Sequence, residues 1–311
     1  MGLDEQLRNV AASLAPDALG YSGNFGLLVL ALLAAGLAAG FAAGLFGIGG
    51  GFVVVPALAA VLTAFTGAPV PGESDHVMHV AIGTSLANIV FTSLRSVQAH
   101  AKRGAVDFKI LKQWGPWVAL GVVGGVALTG LMDGRMLSLV FGLGVLVMGL
   151  HFTFPILRPR AVDNPETPER LPKGAARAGL GAGLGAFSAL LGIGGGTPAV
   201  LLMTMSGVNM HRAVATAAGF GAVIAVPGAI GNVLIGLNAP ELPPGSLGYV
   251  NVVALVAITA MSVLTAPLGA AAAHSLNGKL LQRVFGVYLL FTAGLMLHRA
   301  MPEAWLASVG A

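Results

Sequence analysis

The sequence predicts an all-α polytopic membrane protein of about ten segments, laid out as two inverted-topology repeats of five with broken, glycine-rich helix hairpins. Three observations carry that prediction. The 311 residues are 56% hydrophobic and only 9% charged, where a soluble domain carries about 25% charged residues. The run Gly47-Ile48-Gly49-Gly50-Gly51 recurs as Gly192-Ile193-Gly194-Gly195-Gly196. The lysines and arginines collect on one side of the predicted segments. Such a composition excludes an ordinary water-soluble enzyme, a disordered chain and a coiled coil. The absence of cysteine excludes disulfide scaffolds, cysteine zinc sites, iron–sulfur clusters and thiolate catalysis.

A helix crossing the hydrocarbon core needs about 20 mostly apolar residues. Residues 1–23 are polar and net acidic and read as an extracytoplasmic stretch. Segment 24–46 follows without the short apolar core and cleavage site of a signal peptide. It carries Gly36, Gly40, Gly44 and Gly47 at four-residue spacing, a small face for close helix packing. Segment 52–66 starts at the first glycine run and contains Pro56. Segment 77–98 carries Thr84, Ser85, Asn88 and Arg95. Segments 113–132 and 136–157 complete a first membrane repeat, 24–157. Residues 158–177 are Pro-rich and charged and read as a cytoplasmic linker. The second repeat, 178–311, holds segments 178–191, 197–208, 213–235, 249–273 and 281–300. Pro198 opens its second segment, and Pro227 is expected to break and hinge its third.

Orientation follows from the positive charges, which stay on the cytoplasmic side. With both termini outside, twelve of the sixteen Lys and Arg residues fall in cytoplasmic loops, three fall outside, and Arg95 lies within a span. The pI near 9.8 is therefore explained by topology, and nucleic acid is not expected as a partner. A second internal match, His79-Val80-Ala81-Ile82-Gly83-Thr84 on His211-Arg212-Ala213-Val214-Ala215-Thr216, supports the repeat; the stretch around Thr66 to Met78 is extra in the first half. Five segments per half is an odd number, so the second half enters the membrane inverted.

The doubled glycine run, with Pro56 after the first copy, and the spread of segments over nearly the whole chain resemble the sulfite exporter TauE/SafE family of membrane permeases. The resemblance implies transport, in the direction of export, of small sulfur-containing anions such as sulfite, sulfoacetate or other organosulfonates across the bacterial inner membrane. The second copy departs from the pattern: Leu201 stands where Pro56 would match, and the proline comes early, at Pro198.

The chemistry expected of the runs is anion binding by backbone. Segments 52–66 and 197–208 cover only about 22 and 18 Å of a core about 30 Å thick, so each starts inside the membrane. Gly47 and Gly192 are expected as hinges with Pro56, Pro198 and Pro227. Gly49, Gly50, Gly51, Gly194, Gly195 and Gly196 would present the unpaired N–H groups and positive dipole end of a helix start. Two such ends facing each other would suit a tetrahedral oxyanion. No Lys-Ser/Thr follows either run, so neither is a nucleotide P-loop. Packing is the competing explanation for the glycines, and for Gly40 and Gly44 it is the preferred one.

Thr84 and Asn88 share a helix face, and with Ser85 and Thr216 they are candidate donors to substrate oxygens or interhelical hydrogen bonds. Asn88 matches Phe220 in the second half, and Arg95 matches Pro227. Arg95 either draws anions into the inner vestibule or snorkels. His76 and His79 lack a third ligand, so no metal site is expected, and no cofactor motif is present. His79 and His211 mark matched segment ends. No acidic residue lies inside a span, leaving a coupling proton on histidine, a cation on carbonyls, or no coupling. A transporter working by alternating access is the principal reading. A channel-like facilitator is the alternative, and an enzyme would need an intramembrane catalytic pair that the spans lack.

Overall fold

The computed structural model describes residues 25–46, 50–66, 76–154, 170–275 and 278–301. These form ten helices and one short hairpin. In chain order they are α1 (Phe25–Phe46), α2 (Gly51–Thr66), α3 (Val77–Lys102), α4 (Phe108–Thr129), α5 (Gly134–Thr153), α6 (Gly174–Leu190), α7 (Gly196–Met205) and α8 (Met210–Gly236). Then come β1 (Ser246–Leu247), β2 (Val250–Asn251), α9 (Val252–Ser275) and α10 (Gly278–Ala300). Five of the helices are individually long and apolar enough to cross a membrane. The chain is an all-α polytopic membrane protein.

Several helix starts are set by single polar side chains that satisfy otherwise unpaired amides. Asp107 accepts from the amides of Lys109 and Ile110 at 2.9 and 3.0 Å, which starts α4 at Phe108 rather than 113. Asp133 caps α5 through Met136 N, and Asn209 caps α8 through His211 N. Asn251 accepts from Ala254 N at 2.9 Å. Residues 249–251, expected as helix, instead belong to the hairpin, where Leu247 pairs with Val250 and Ser246 with Asn251. Gly248 makes that turn at φ +54°, with its α-carbon against the Val233 backbone, where a side chain has no room.

The two short helices are shorter than a membrane core is thick. α2 has 16 residues and α7 has 10, which at 1.5 Å per residue gives about 24 and about 15 Å. α7 stops at Met205, short of 208, because Gly207 at φ +88° closes the end: Val208 N donates to Met203 O and Gly207 N to Thr204 O.

The prolines act differently from one another. Pro198 sits in the first turn of α7, where its missing N–H costs nothing. Pro56 lies inside α2 and leaves the Phe52 carbonyl without its intrahelical donor; the Tyr288 hydroxyl donates to that oxygen at 3.3 Å. Pro227 does not break its helix. α8 runs unbroken from Met210 to Gly236, giving up one hydrogen bond to Val223 O.

Packing follows the small residues. α1 pairs with α9, α4 with α6, α5 with α10, and α3 with α8. Gly40 lies directly against Ser262 and Thr265, and Ser262 and Thr265 donate to Gly36 O and Leu37 O at 3.2 and 3.1 Å. Gly121 and Gly185 abut the backbone of Ala182 and Val118 across the α4–α6 contact. α3 and α8 cross antiparallel at the centre: Gly83 meets Asn232, Leu86 meets Gly228, and Ser93 meets Gly221. Every residue of α3 from Val77 to Ile89 is buried.

The ends of the bundle differ in charge. At one end Arg212 bonds Asp107, Arg177 donates to Gln113 at 3.0 Å, and Arg170 N donates to Ser206 O. The opposite end holds the hairpin, the α4–α5 turn and Arg135, which donates to Ala300 O at 2.9 Å.

Candidate functional site

α2 begins at a glycine in the left-handed region. Gly50 has φ +77°, and its carbonyl accepts from Val53 N and Val54 N at 2.9 and 3.0 Å, so it caps the helix by backbone alone. The amides of Gly51 and Phe52 have no acceptor among the described residues. Gly50 borders a cavity of about 390 Å³, lined by α1, α2, α3, α8 and α9.

α3 contributes the polar wall of this cavity. Asn88, Thr92, Arg95, Ser96 and His100 all line it, at the spacing that puts residues on one helical face. Asn88 Oδ1 accepts from Thr259 at 2.9 Å, so its two N–H donors are what the side chain offers the cavity. Arg95 is exposed, and among the described residues no carboxylate pairs with it. No acidic residue lines the cavity. It therefore combines one cation, the Asn88 amide, the Ser96 hydroxyl, a helix start and an apolar wall that includes Ala43, Val54 and Pro267. Gly44 lines this cavity. His100, in the last turn of α3, marks its extension toward the basic end of the bundle.

The remaining candidate residues sit elsewhere. Ser85 donates to Gly192 O at 2.8 Å. Thr84 Oγ1 accepts from Asn251 N at 2.8 Å, and Thr216 Oγ1 accepts from Asp107 N at 3.0 Å. All three side chains are buried and occupied by backbone partners, so they brace helices instead of facing the cavity. The two threonines do matching work: Thr84 holds the residue that caps α9, and Thr216 holds the residue that caps α4. Burial raises the Asp107 carboxyl, but hydrogen bonds and charge from Arg212, with the Ile110 and Lys109 amides, bring it below the usual carboxylate range.

The two glycine runs touch. A Cβ at Gly51 would lie 2.6 Å from Gly192 O and 2.9 Å from Ile193 Cα. The expected gap between facing helix starts is closed at that point. Gly192, at φ +62°, packs on Ile82 and Val55, and Gly194 packs on Ile89. Gly195 caps α7 at φ +66°, and Gly196 opens it. Beside Gly195 the space matching the cavity is occupied by Ile224, and the neighbouring Phe220 is also buried. Ile224 and Phe220 stand at the positions that the sequence match pairs with Thr92 and Asn88, so the polar wall has no counterpart beside Gly195. Gly47 and Gly49 lie outside the described residues.

The matched histidines are at opposite ends. His79 Nε2 lies 3.1 and 3.0 Å from the carbonyls of Thr129 and Met132, which accept only, so Nε2 carries the proton and ties down the end of α4. Its ring lies 4.7 Å from that of Tyr249. His211 is exposed at the basic end. Among the described residues no cluster of three metal-ligating side chains occurs. Thr92, Ser96 and His100 were not among the residues singled out from sequence; the helical spacing running on from Asn88 is the signal that finds them.

The chain matches the family described as sulfite exporter TauE/SafE over residues 32–296. It is 32% identical over 265 residues to a probable membrane transporter protein of Haemophilus influenzae, covering 85% of this chain and 96% of that one. It is 25% identical to one of Methanocaldococcus jannaschii over 78% of this chain and 84% of that one. A probable membrane transporter protein of Bacillus subtilis is 28% identical over 78% of this chain and 88% of its own length. No solved structure matches. With a multi-pass helical fold and a family match over most of its length, the chain belongs to the sulfite exporter TauE/SafE family of membrane transporters.

Proposed function

We propose that the protein exports small sulfur-containing anions, such as sulfite, sulfoacetate or other organosulfonates, across the bacterial inner membrane. The carrying observation is the cavity beside Gly50: Arg95 and the Asn88 amide line it, and no carboxylate does. Charge-assisted hydrogen bonds are the stronger kind, and an anion there needs no buried counter-ion. The cavity runs toward His100 and the basic end, which the positive-inside rule makes cytoplasmic. With that orientation the cargo entrance faces the side from which an exporter loads, which supports the export reading.

The mechanism proposed is alternating access between two inverted halves, 24–157 and 178–311, joined by the cytoplasmic linker 158–177, with both termini extracytoplasmic. Support comes from the exchange of partners: α1 with α9 and α4 with α6, and Thr84 and Thr216 on matching caps. The tight Gly51–Gly192 contact is suited to a pivot about which the halves rock. The site proposed is Gly50 and Gly51 with Asn88 and Arg95. The second run, with Gly194, Gly195 and Gly196, starts α7 outside this cavity, and Thr84, Ser85 and Thr216 scaffold the surrounding helices.

Sulfite uptake into proteoliposomes tests the reading. Arg95→Gln is expected to raise the apparent KM by roughly tenfold, the worth of one hydrogen bond to a charged group. An unchanged KM would remove Arg95 from the site.

A further inference from the structure

The second glycine turn carries two buried hydroxyls with nothing to bond. Ser188, on α6, is fully buried, and its Oγ finds no partner; Thr197, in the first turn of α7, is buried, and its Oγ1 finds none either. A serine inside a helix ordinarily bonds the carbonyl one turn back, and a buried polar atom left unpaired is costly. Ser188 Oγ points at the helix start: it lies 3.0 Å from the place a Cβ would occupy on Gly195, the cap of α7. The amides of Gly196 and Thr197 have no acceptor among the described residues, and Pro198 has no N–H to offer. Four donors therefore belong to the positive end of a ten-residue helix, or point at it, with no acceptor supplied. Ile224 Cδ1 covers the spot from α8.

We propose that the second glycine turn is itself an oxyanion subsite, formed by the Ser188 and Thr197 hydroxyls with the first-turn amides of α7, and stoppered in this conformation by Ile224. The subsite rests on the transport reading above and deepens it. The first half holds cargo in the cavity beside Gly50, where Ala43 stands in the place of Ser188. The second half holds it in a pocket that opens when Ile224 withdraws. Neutral donors with no cation favour a small, fully ionised oxyanion over a bulky organic one.

The test is equilibrium binding of radiolabelled inorganic sulfite to the purified full chain, with thermal unfolding measured alongside. The double variant Ser188→Ala/Thr197→Val is expected to bind about tenfold more weakly. Without sulfite it should unfold no earlier than wild type, since two unpaired hydroxyls are gone, and with sulfite it should lose most of the ligand-induced rise in Tm. Ile224→Val removes one methyl from the stopper and should tighten binding about fourfold. Undiminished binding by the double variant, beside a wild type that binds, would overturn the subsite alone. A wild type that binds no sulfite would defeat the transport reading and the subsite with it. A double variant that unfolds early without sulfite would assign the hydroxyls to structure and also overturn the subsite.

Discussion

Gly50 is held by two constraints at once. Its φ of +77° strains any residue with a side chain, and a Cβ there would press to 3.2 Å from the Cβ of Ala43. Gly50→Val is therefore expected to abolish sulfite flux while the protein still inserts in the membrane, measured as uptake per unit of folded protein in proteoliposomes; full activity would exclude the turn from the site. Asp107 makes a different kind of prediction. Its carboxyl is held below its ordinary range, so the ion pair with Arg212 stabilises the fold at pH values above the unfolded carboxylate pKa. That contribution fades as pH falls through the folded value. The Tm difference between wild type and Asp107→Asn should be constant near neutrality and shrink below about pH 4. Among single residues, Gly50, Asn88 and Arg95 were legible because a glycine run, an amide and a charge stand out in an apolar span. Thr92 and Ser96 were not, because small hydroxyl residues in membrane helices are common and only the tertiary neighbours separate cavity from contact. The absence of a polar match at Phe220 was visible in the sequence; that Ile224 plugs the same half was not.

At the level of elements, the helices pair through glycine and small hydroxyl residues because lipid supplies no hydrophobic drive between them. Thr84 and Thr216 show what such residues do when paired with backbone. Thr84→Val would leave the buried Asn251 amide without its acceptor, at about 1–3 kcal/mol. The expected result is a lower Tm with unchanged KM in the folded fraction; a raised KM would return Thr84 to the cargo site. The short helices α2 and α7 were legible as truncated apolar runs beside glycines. The first turn of α4 was not, since Lys109 and Lys112 made it read as loop until the Asp107 cap is recognised. Pro227 misled in the other direction: proline lowers the odds of helix, yet α8 continues through it, with contacts from Ser93 at Gly221 to Leu86 at Gly228 on either side. Residues 249–251 read as helix because Tyr249 and Val250 run into the apolar stretch that follows, while the turn at Gly248 decides their backbone.

For the whole molecule, the cavity extends along α3 to His100, toward the end of the bundle that carries Arg170, Arg177 and Arg212. Single cysteines at Lys102 and Glu241, both exposed and at opposite ends, should label with a membrane-impermeant maleimide from opposite faces of intact cells and inverted vesicles. Labelling from one face would reject the topology. The central claim is that an anion site alternates between the two faces. Trans-stimulation measures this most directly: efflux of radiolabelled sulfite from proteoliposomes, with and without unlabelled sulfite outside. The account predicts a saturable flux that accelerates when the opposite side is loaded. A flux linear in concentration and indifferent to the opposite side would contradict it and make the protein a channel-like facilitator.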